Sequence, residues 1–179
     1  MTSPLKTPLW DFALDLYGRP GVSQACLTLQ DEAGVDVIHL IVLAYADHVG
    51  SPLSADEIRA LHEAMADWRT GAVLPLRAAR RFLKAPLPVL DAEKEALREA
   101  VKAVELKTEQ LQLAMAYGWL TARADKEGLP REGLPKEGLP LAQALGNLLV
   151  SSHGQAGMLP AVEQALATVI DAVKTIDRR

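Results

Sequence analysis

Cysteine, aromatic residues and long apolar runs are all scarce in this chain of 179 residues. The single cysteine, Cys26, cannot form a disulfide within the chain, and such sparing use of cysteine indicates a reducing compartment, so we expect a cytoplasmic protein. Aromatic residues make up only 4% of the sequence, although hydrophobic residues as a whole make up 49%. Ala and Leu supply much of that content, and they favour helices over strands. The composition therefore predicts an all-α protein.

Membrane insertion and secretion are not expected. The most apolar stretch, residues 35–46, is interrupted by Asp36 and His39 and is shorter than the roughly 20 residues that a membrane-spanning helix needs. Residues 1–8 carry only Lys6 as a charge and lack the apolar core of a secretion signal. The net charge of −4 also disfavours nucleic acid as a partner, although a local basic patch leaves that alternative open.

Helix-start signals divide the chain into short segments. Thr7 and Pro8 suit the N-cap and first position of a helix, and Asp36 suits the N-cap of a strongly apolar helix that we expect to form the centre of the core. Ser54 and Glu57 have the spacing of a capping box, which predicts a helix that runs to Gly71. The pattern as a whole predicts a compact multi-helix bundle.

Apolar spacing predicts the inner faces of two later helices. In the helix opened by Pro75, the predicted inner side consists of Leu76, Ala79, Phe82 and Leu83. One long helix is predicted over about residues 92–123, and its apolar stripe keeps close to a heptad at Leu97, Val101, Val104, Leu111 and Met115. A hairpin partner or a second copy in a homodimer must cover such a stripe.

The sequence divides into three regions. Residues 1–124 are predicted to form a helical core domain. Residues 125–140 repeat Glu-Gly-Leu-Pro three times, and this density of Gly and Pro indicates a solvated linker. Residues 141–179 are predicted to form two C-terminal helices that pack as a hairpin on the core or on a dimer partner, the last with Val162, Leu166, Val169 and Val173 on its inner side.

A basic helical face is the sharpest candidate site. Arg77, Arg80, Arg81 and Lys84 are spaced by three, four and seven residues and so share one side of a helix. The functional interpretation is a surface that binds an acidic or phosphate-bearing partner, because guanidinium groups match such anions. The structural interpretation is an internal ion-pair network with acidic residues of neighbouring helices, namely Asp67, Glu99, Glu105 or Glu109.

A pocket between helices is the alternative site. Its candidate residues are Asp31, Asp36, His39 and His48, with the arginines as an anion clamp. The four histidines offer neither an i, i+4 pair nor a carboxylate at ligand spacing, so we expect no metal site. No pattern indicates a catalytic residue or a cofactor, and Cys26 on an apolar stripe is expected to be a core residue.

The chain resembles a proteobacterial family catalogued only as a domain of unknown function. The resemblance covers about residues 9–113. It rests on residues 10–17, 21–31 and 34–37 and on the later groups Trp68-Arg69, Pro75-Leu-Arg77, Arg80-Arg81 and Glu105-Leu106. Where the family pattern places an Asn after residue 37, this chain has Ile38 and His39. The resemblance implies a compact helical protein and no particular activity.

Two functional hypotheses follow. The first is a non-enzymatic interaction or regulatory module that docks a protein partner on the basic face. The second is a small helical enzyme or ligand-binding protein with an anionic or apolar ligand between its helices. An enclosed, polar-lined cavity would favour the second hypothesis, whereas a filled core would favour the first.

Overall fold

The computed structural model describes residues 4–126, 138–153 and 159–177, so most of the repeat linker lies outside the described residues. Within the described ranges the regular structure is helical and contains no β-strand, which confirms the predicted all-α bundle. The elements in chain order are α1 (Pro8–Gly18), α2 (Val22–Ala33), α3 (Val37–His48), α4 (Ala55–Trp68), a π-helical segment (Arg69–Val73), α5 (Leu74–Phe82), α6 (Asp91–Lys126), α7 (Leu141–His153) and α8 (Pro160–Lys174).

Side-chain caps begin three of these helices where the sequence predicts them. The Thr7 hydroxyl accepts a hydrogen bond from the backbone N–H of Trp10 at 3.1 Å, and the Asp36 carboxylate accepts one from the N–H of Ile38 at 3.0 Å. Ser54 and Glu57 complete the capping box, in which the Ser54 N–H donates to the Glu57 carboxylate at 2.8 Å. Each cap satisfies a backbone donor that the first helical turn leaves unpaired.

Helix α3 lies at the centre of the core. Nine of its side chains are buried, which agrees with an apolar run too broad for a surface helix. Helices α7 and α8 add buried residues to the same hydrophobic cluster, and α8 packs along α2. The predicted inner residues Val162, Val169 and Val173 of α8 are buried, as is Cys26 of α2.

The chain does not stop its helical course at Gly71. The α-helical part of α4 ends at Trp68, and the π-helical segment carries the backbone into α5 without an intervening loop. The indole N–H of Trp68 donates to the backbone carbonyl of Thr108 on α6 at 3.0 Å and ties this junction to the long helix.

The predicted inner side of α5 is wrong at Phe82 and Ala79, whereas Leu76 and Leu83 are half-buried. Phe82 has 81% of its surface exposed, and Ala79 is exposed as well. Arg77 and Arg80 face α6 instead, because acidic side chains of α6 receive them. The assumption that apolar residues form the inner side of a helix fails where the facing helix carries carboxylates.

The predicted apolar stripe of α6 is correct only in part. Of the predicted residues, Val101 and Leu111 are half-buried, whereas Leu97, Val104 and Met115 are exposed. Leu113 and Ala116, which the heptad does not include, are buried. Two polar residues, Glu105 and Gln112, share the buried side of the helix. None of the helices in the described parts of the chain combines the length and apolarity that would be needed to cross a bilayer.

Candidate functional site

The basic face of α5 meets an acidic face of α6. Arg77 lies 3.2 Å from a Glu105 carboxylate oxygen and 2.6 Å from a Glu109 carboxylate oxygen. Arg80 forms an ion pair with Glu105 and adds a second hydrogen bond to it at 3.2 Å. The Glu105 side chain is only 6% exposed, so one buried carboxylate joins two guanidinium groups. Of the acidic partners that the sequence offers, Glu105 and Glu109 make the network.

The pKa shifts of the two glutamates differ in direction because their pairing differs. Burial raises the pKa of Glu105, but hydrogen bonds from Arg80 and Arg77 outweigh burial and hold that pKa below its usual range. Glu109 has Arg77 as its hydrogen-bonding partner, and burial dominates there, so its pKa is raised. The network therefore stabilises the ionised form of Glu105 most strongly.

Arg81 and Lys84 remain at the surface. Arg81 forms an ion pair with Asp31 of α2, and about half of each side chain is exposed. Lys84 is exposed at the end of α5. The four predicted cations thus separate into two that are committed to α6 and two that face solvent.

A cleft of about 490 Å³ lies between α3, α4 and α7. This volume falls within the range of small-molecule sites. Apolar side chains form much of its lining, and the polar lining residues come from four different parts of the chain. The residues that line the cleft are Gly34, Asp36, His39, Ala55, Ile58, Arg59, His62, Arg69, Asn147 and Leu148.

Asp36 and Arg69 form the charged edge of the cleft floor. The Nε of Arg69 lies 2.6 Å from a carboxylate oxygen of Asp36, and both side chains are largely buried. Asp36 also caps α3, so its position is fixed by the backbone. A guanidinium carries more N–H donors than one carboxylate accepts, which leaves Arg69 able to bind a further anion.

His39 is buried at the floor of the cleft and is 6% exposed. Its Nε2 atom has no hydrogen-bond partner among the described residues. Burial, with contributions from His62 and Arg69, lowers the pKa of His39 to about 4 against an opposing effect of Asp36. The ring is therefore neutral at pH 7 and can accept or donate one hydrogen bond at each nitrogen according to its tautomer.

His62 covers the outer face of the His39 ring. The two imidazole rings are stacked, with 5.6 Å between their centroids and 21° between their planes. His62 lies on α4 and is exposed, so the pair leads from the buried floor to the open side of the cleft.

The structure brings together two of the four residues predicted for the pocket. Asp36 and His39 both line the cleft. Asp31 pairs instead with Arg81, and His48 packs its ring against Phe12 with 5.1 Å between centroids.

Sequence reasoning missed four polar cleft residues: Arg59, His62, Arg69 and Asn147. The capping box fixes the register of α4, and Ile58 on its apolar stripe lies one turn before His62, which is the signal that could have indicated this residue. No comparable signal marks Arg69, which lies in the π-helical segment.

Comparisons with known proteins give one family. The sequence profile of the family described as "Protein of unknown function (DUF2390)" matches residues 8–115, more than half of the chain. Neither the curated proteins nor the solved structures yield a match. The matched region includes the floor of the cleft and both partners of the α5–α6 network.

Proposed function

The chain belongs to the DUF2390 family, and we propose that it binds a small organic anion in the cleft between α3, α4 and α7. The observation that carries the proposal is the unpaired, buried Nε2 atom of His39 at the floor of that cleft. A buried polar group without a partner costs about 1 to 3 kcal/mol, and a ligand that pairs with it recovers this cost. The residues most directly concerned are His39, Arg69 and Arg59.

The charges of the lining favour an anionic ligand. Arg69 lies beside the floor, while Arg59 is exposed and is held by an i, i+3 pair with Asp56 at 2.8 Å. An exposed pair of this kind contributes little stability, so Arg59 can turn towards a bound anion at low cost. Asp36 offsets Arg69, and Arg59 supplies a net positive charge to the lining when it turns away from Asp56.

The apolar walls favour a ligand with a hydrocarbon body. Ile58 of α4 and Leu148 of α7 line the cleft together with Ala55. Burying apolar ligand surface against them supplies roughly 25 cal/mol per Å². We therefore expect an organic carboxylate with an apolar body and not a bare inorganic anion.

The proposal is tested by ligand-observed NMR with a panel of small organic carboxylates, from propionate to phenylacetate and naphthoate. We expect binding by the wild type and at least about tenfold weaker binding by Arg59→Gln and by Ile58→Trp, which fills the cleft. Arg19→Gln is the matched control, because Arg19 also makes a local ion pair, with Asp15 at 2.9 Å. Equal binding by the wild type and Ile58→Trp, or no binding by the wild type, would contradict the proposal.

A second candidate function is docking of an acidic protein segment on the outer side of α5. Phe82 is 81% exposed between Arg81 and Lys84, and Val89 just beyond the helix is 87% exposed. Aromatic and Arg side chains together are typical of the energetic centre of protein interfaces. Among the described residues, Arg81 is held only by an exposed ion pair with Asp31, and Lys84 is exposed at the end of α5, so both cations favour an acidic partner.

Selection from a phage-displayed peptide library tests this docking surface. We expect enriched peptides to combine Asp or Glu with a large apolar residue and to lose binding to Phe82→Ala and to the double variant Arg81→Glu, Lys84→Glu. Charge reversal at Lys174, which pairs with Asp171 on α8 far along the chain, serves as the control. Peptides without acidic enrichment, or peptides that bind the double variant as well as the wild type, would overturn the docking function.

A further inference from the structure

A second, much smaller cavity adjoins the floor of the cleft. Its volume is about 10 Å³, and it shares the lining residues Asp36, His39, His62 and Arg69 with the cleft. Gln112 of α6 closes it on the inner side. A cavity of this size holds about one water-sized group. We call it the inner chamber.

Two of the residues that line the inner chamber each carry a buried polar atom that has no hydrogen-bond partner in the described part of the chain. These atoms are Nε2 of His39 and Oε1 of Gln112, which belong to α3 and α6. Gln112 is only 1% exposed, so bulk water does not reach its side chain freely. Two orphaned atoms at one chamber indicate a shared hydrogen-bonding occupant more strongly than either atom alone.

The chemistry of the two atoms restricts the occupant. Oε1 of Gln112 is an acceptor and needs a donor, so it repels a carboxylate or phosphate oxygen. An ammonium group would place a second cation beside Arg69 in a desolvated space, where the carboxylate of Asp36 is already paired with Arg69. A hydroxyl group satisfies both atoms, because it donates to Gln112 and forms a second hydrogen bond with His39 in the appropriate tautomer.

We propose that the inner chamber receives the hydroxyl group of the ligand, whose carboxylate lies towards Arg59 and Arg69 in the cleft. This inference rests on the proposed function and names its ligand class as hydroxylated organic acids. The inner chamber is too small for a larger group, so the hydroxyl must project from the outside of the ligand's hydrocarbon part.

Matched pairs of acids test the inference. Each pair differs by one hydroxyl group: 4-hydroxyphenylacetate and mandelate against phenylacetate, and 3-hydroxybutyrate against butyrate. Dissociation constants are measured by NMR titration for the wild type and for Gln112→Leu, which keeps the side-chain size and removes the acceptor. Gln110→Leu on the same helix is the control, because Gln110 lies outside the chamber lining. His39→Phe provides a second variant that removes the other orphaned atom.

We expect the wild type to bind at least one hydroxylated acid about tenfold more tightly than its deoxy partner, a difference of the size of one hydrogen bond. Gln112→Leu should reduce this ratio to about one, whereas Gln110→Leu should keep the ratio. If acids bind in an Arg59-dependent way without any hydroxyl preference, the chamber holds only water, and the inference fails while the proposed function stands. If the preference survives in Gln112→Leu, the inference fails as well. If no acid binds the wild type, both fail.

Discussion

Two regions of the long helix α6 differ in whether their buried polar side chains have partners. Glu105 pairs with Arg77 and Arg80 of α5, while Oε1 of Gln112, seven residues further along the same helix, has no hydrogen-bond partner among the described residues. In the first region the buried carboxylate has all its partners within the chain, so it offers no unmade hydrogen bond to a ligand. In the second region a buried acceptor lacks a hydrogen bond, and a ligand that supplies the missing donor gains binding free energy there. Basic residues in a sequence therefore indicate a site less reliably than unpaired atoms in a fold.

Removing the carboxylate of Glu105 is expected to have the largest effect. Glu105→Ala leaves Arg77 and Arg80 without their shared partner in a largely buried position, and breaking such a pair costs about 3 to 5 kcal/mol. Urea unfolding followed by circular dichroism measures this loss. Asp171→Ala is the control, because its pair with Lys174 is exposed and should change stability by less than about 1 kcal/mol. Equal effects of the two substitutions would show that the network is not structural.

Acid should weaken the fold through His39. The pKa of His39 in the folded protein is about 4, below the ordinary 6.5, since burial and the nearby His62 and Arg69 outweigh Asp36. Below pH 6.5 His39 is protonated in the unfolded chain but stays neutral in the folded chain. The free energy of unfolding therefore falls as the pH drops from about 6.5 to 4, by about 3 kcal/mol in total.

The variant His39→Gln isolates this contribution. Its unfolding free energy should lack the decline between pH 6.5 and 4 and run parallel to that of the wild type above pH 7. Glu105 and Glu57, whose pKa values are lowered by hydrogen bonds despite burial, produce a separate loss below their ordinary value of 4.5 in both proteins. A His39→Gln protein with an unchanged decline would place the titrating group elsewhere.

Gln112→Leu is expected to stabilise the ligand-free protein. An apolar side chain of similar size removes the orphaned acceptor and recovers about 1 to 3 kcal/mol. This sign is opposite to that of Glu105→Ala, although both substitutions remove a buried polar group from the same helix. Thermal unfolding without ligand is the measurement, and a clear loss of stability would show that Oε1 has a partner in solution.

Reversing the two outer cations should have the smallest effect on stability. Arg81→Glu with Lys84→Glu breaks only the exposed pair with Asp31 and should cost no more than about 1 kcal/mol. The same reversal at Arg77 and Arg80 should be several times more damaging, as they meet Glu105. Thermal melts of the two double variants compare the outer and inner sides of α5 directly.

Local rules were sufficient for the helix starts and for the core. The caps at Thr7, Asp36 and Ser54 depend on residues within a few positions of each other, so the sequence contains all that determines them. The burial of α3 likewise follows from an apolar run on all sides of one helix.

Tertiary pairing decided what the local rules could not. Either Phe82 or the arginines of α5 can face the core. The arginines do so because Glu105, 25 residues beyond Arg80, forms ion pairs with them. His39 was a candidate from sequence, but its lack of a partner is a property of the packed helices. Gln112 carries one signal that could have been used, since it is a polar residue inside the apolar run 111–116.

Helix α7 has a consequence for how recognition is divided along the chain. The polar groups at the floor, including His39 and Gln112, lie within the family match of residues 8–115, whereas Asn147 and Leu148 on the wall lie beyond it. Under the proposed function, the polar end of the ligand would contact residues inside the family match, and its hydrocarbon part would contact both Ile58 inside the match and Leu148 outside it. Exchanging α7 between relatives would then alter one wall of the cleft, and with it the hydrocarbon part that fits there, while the polar residues at the floor stay the same.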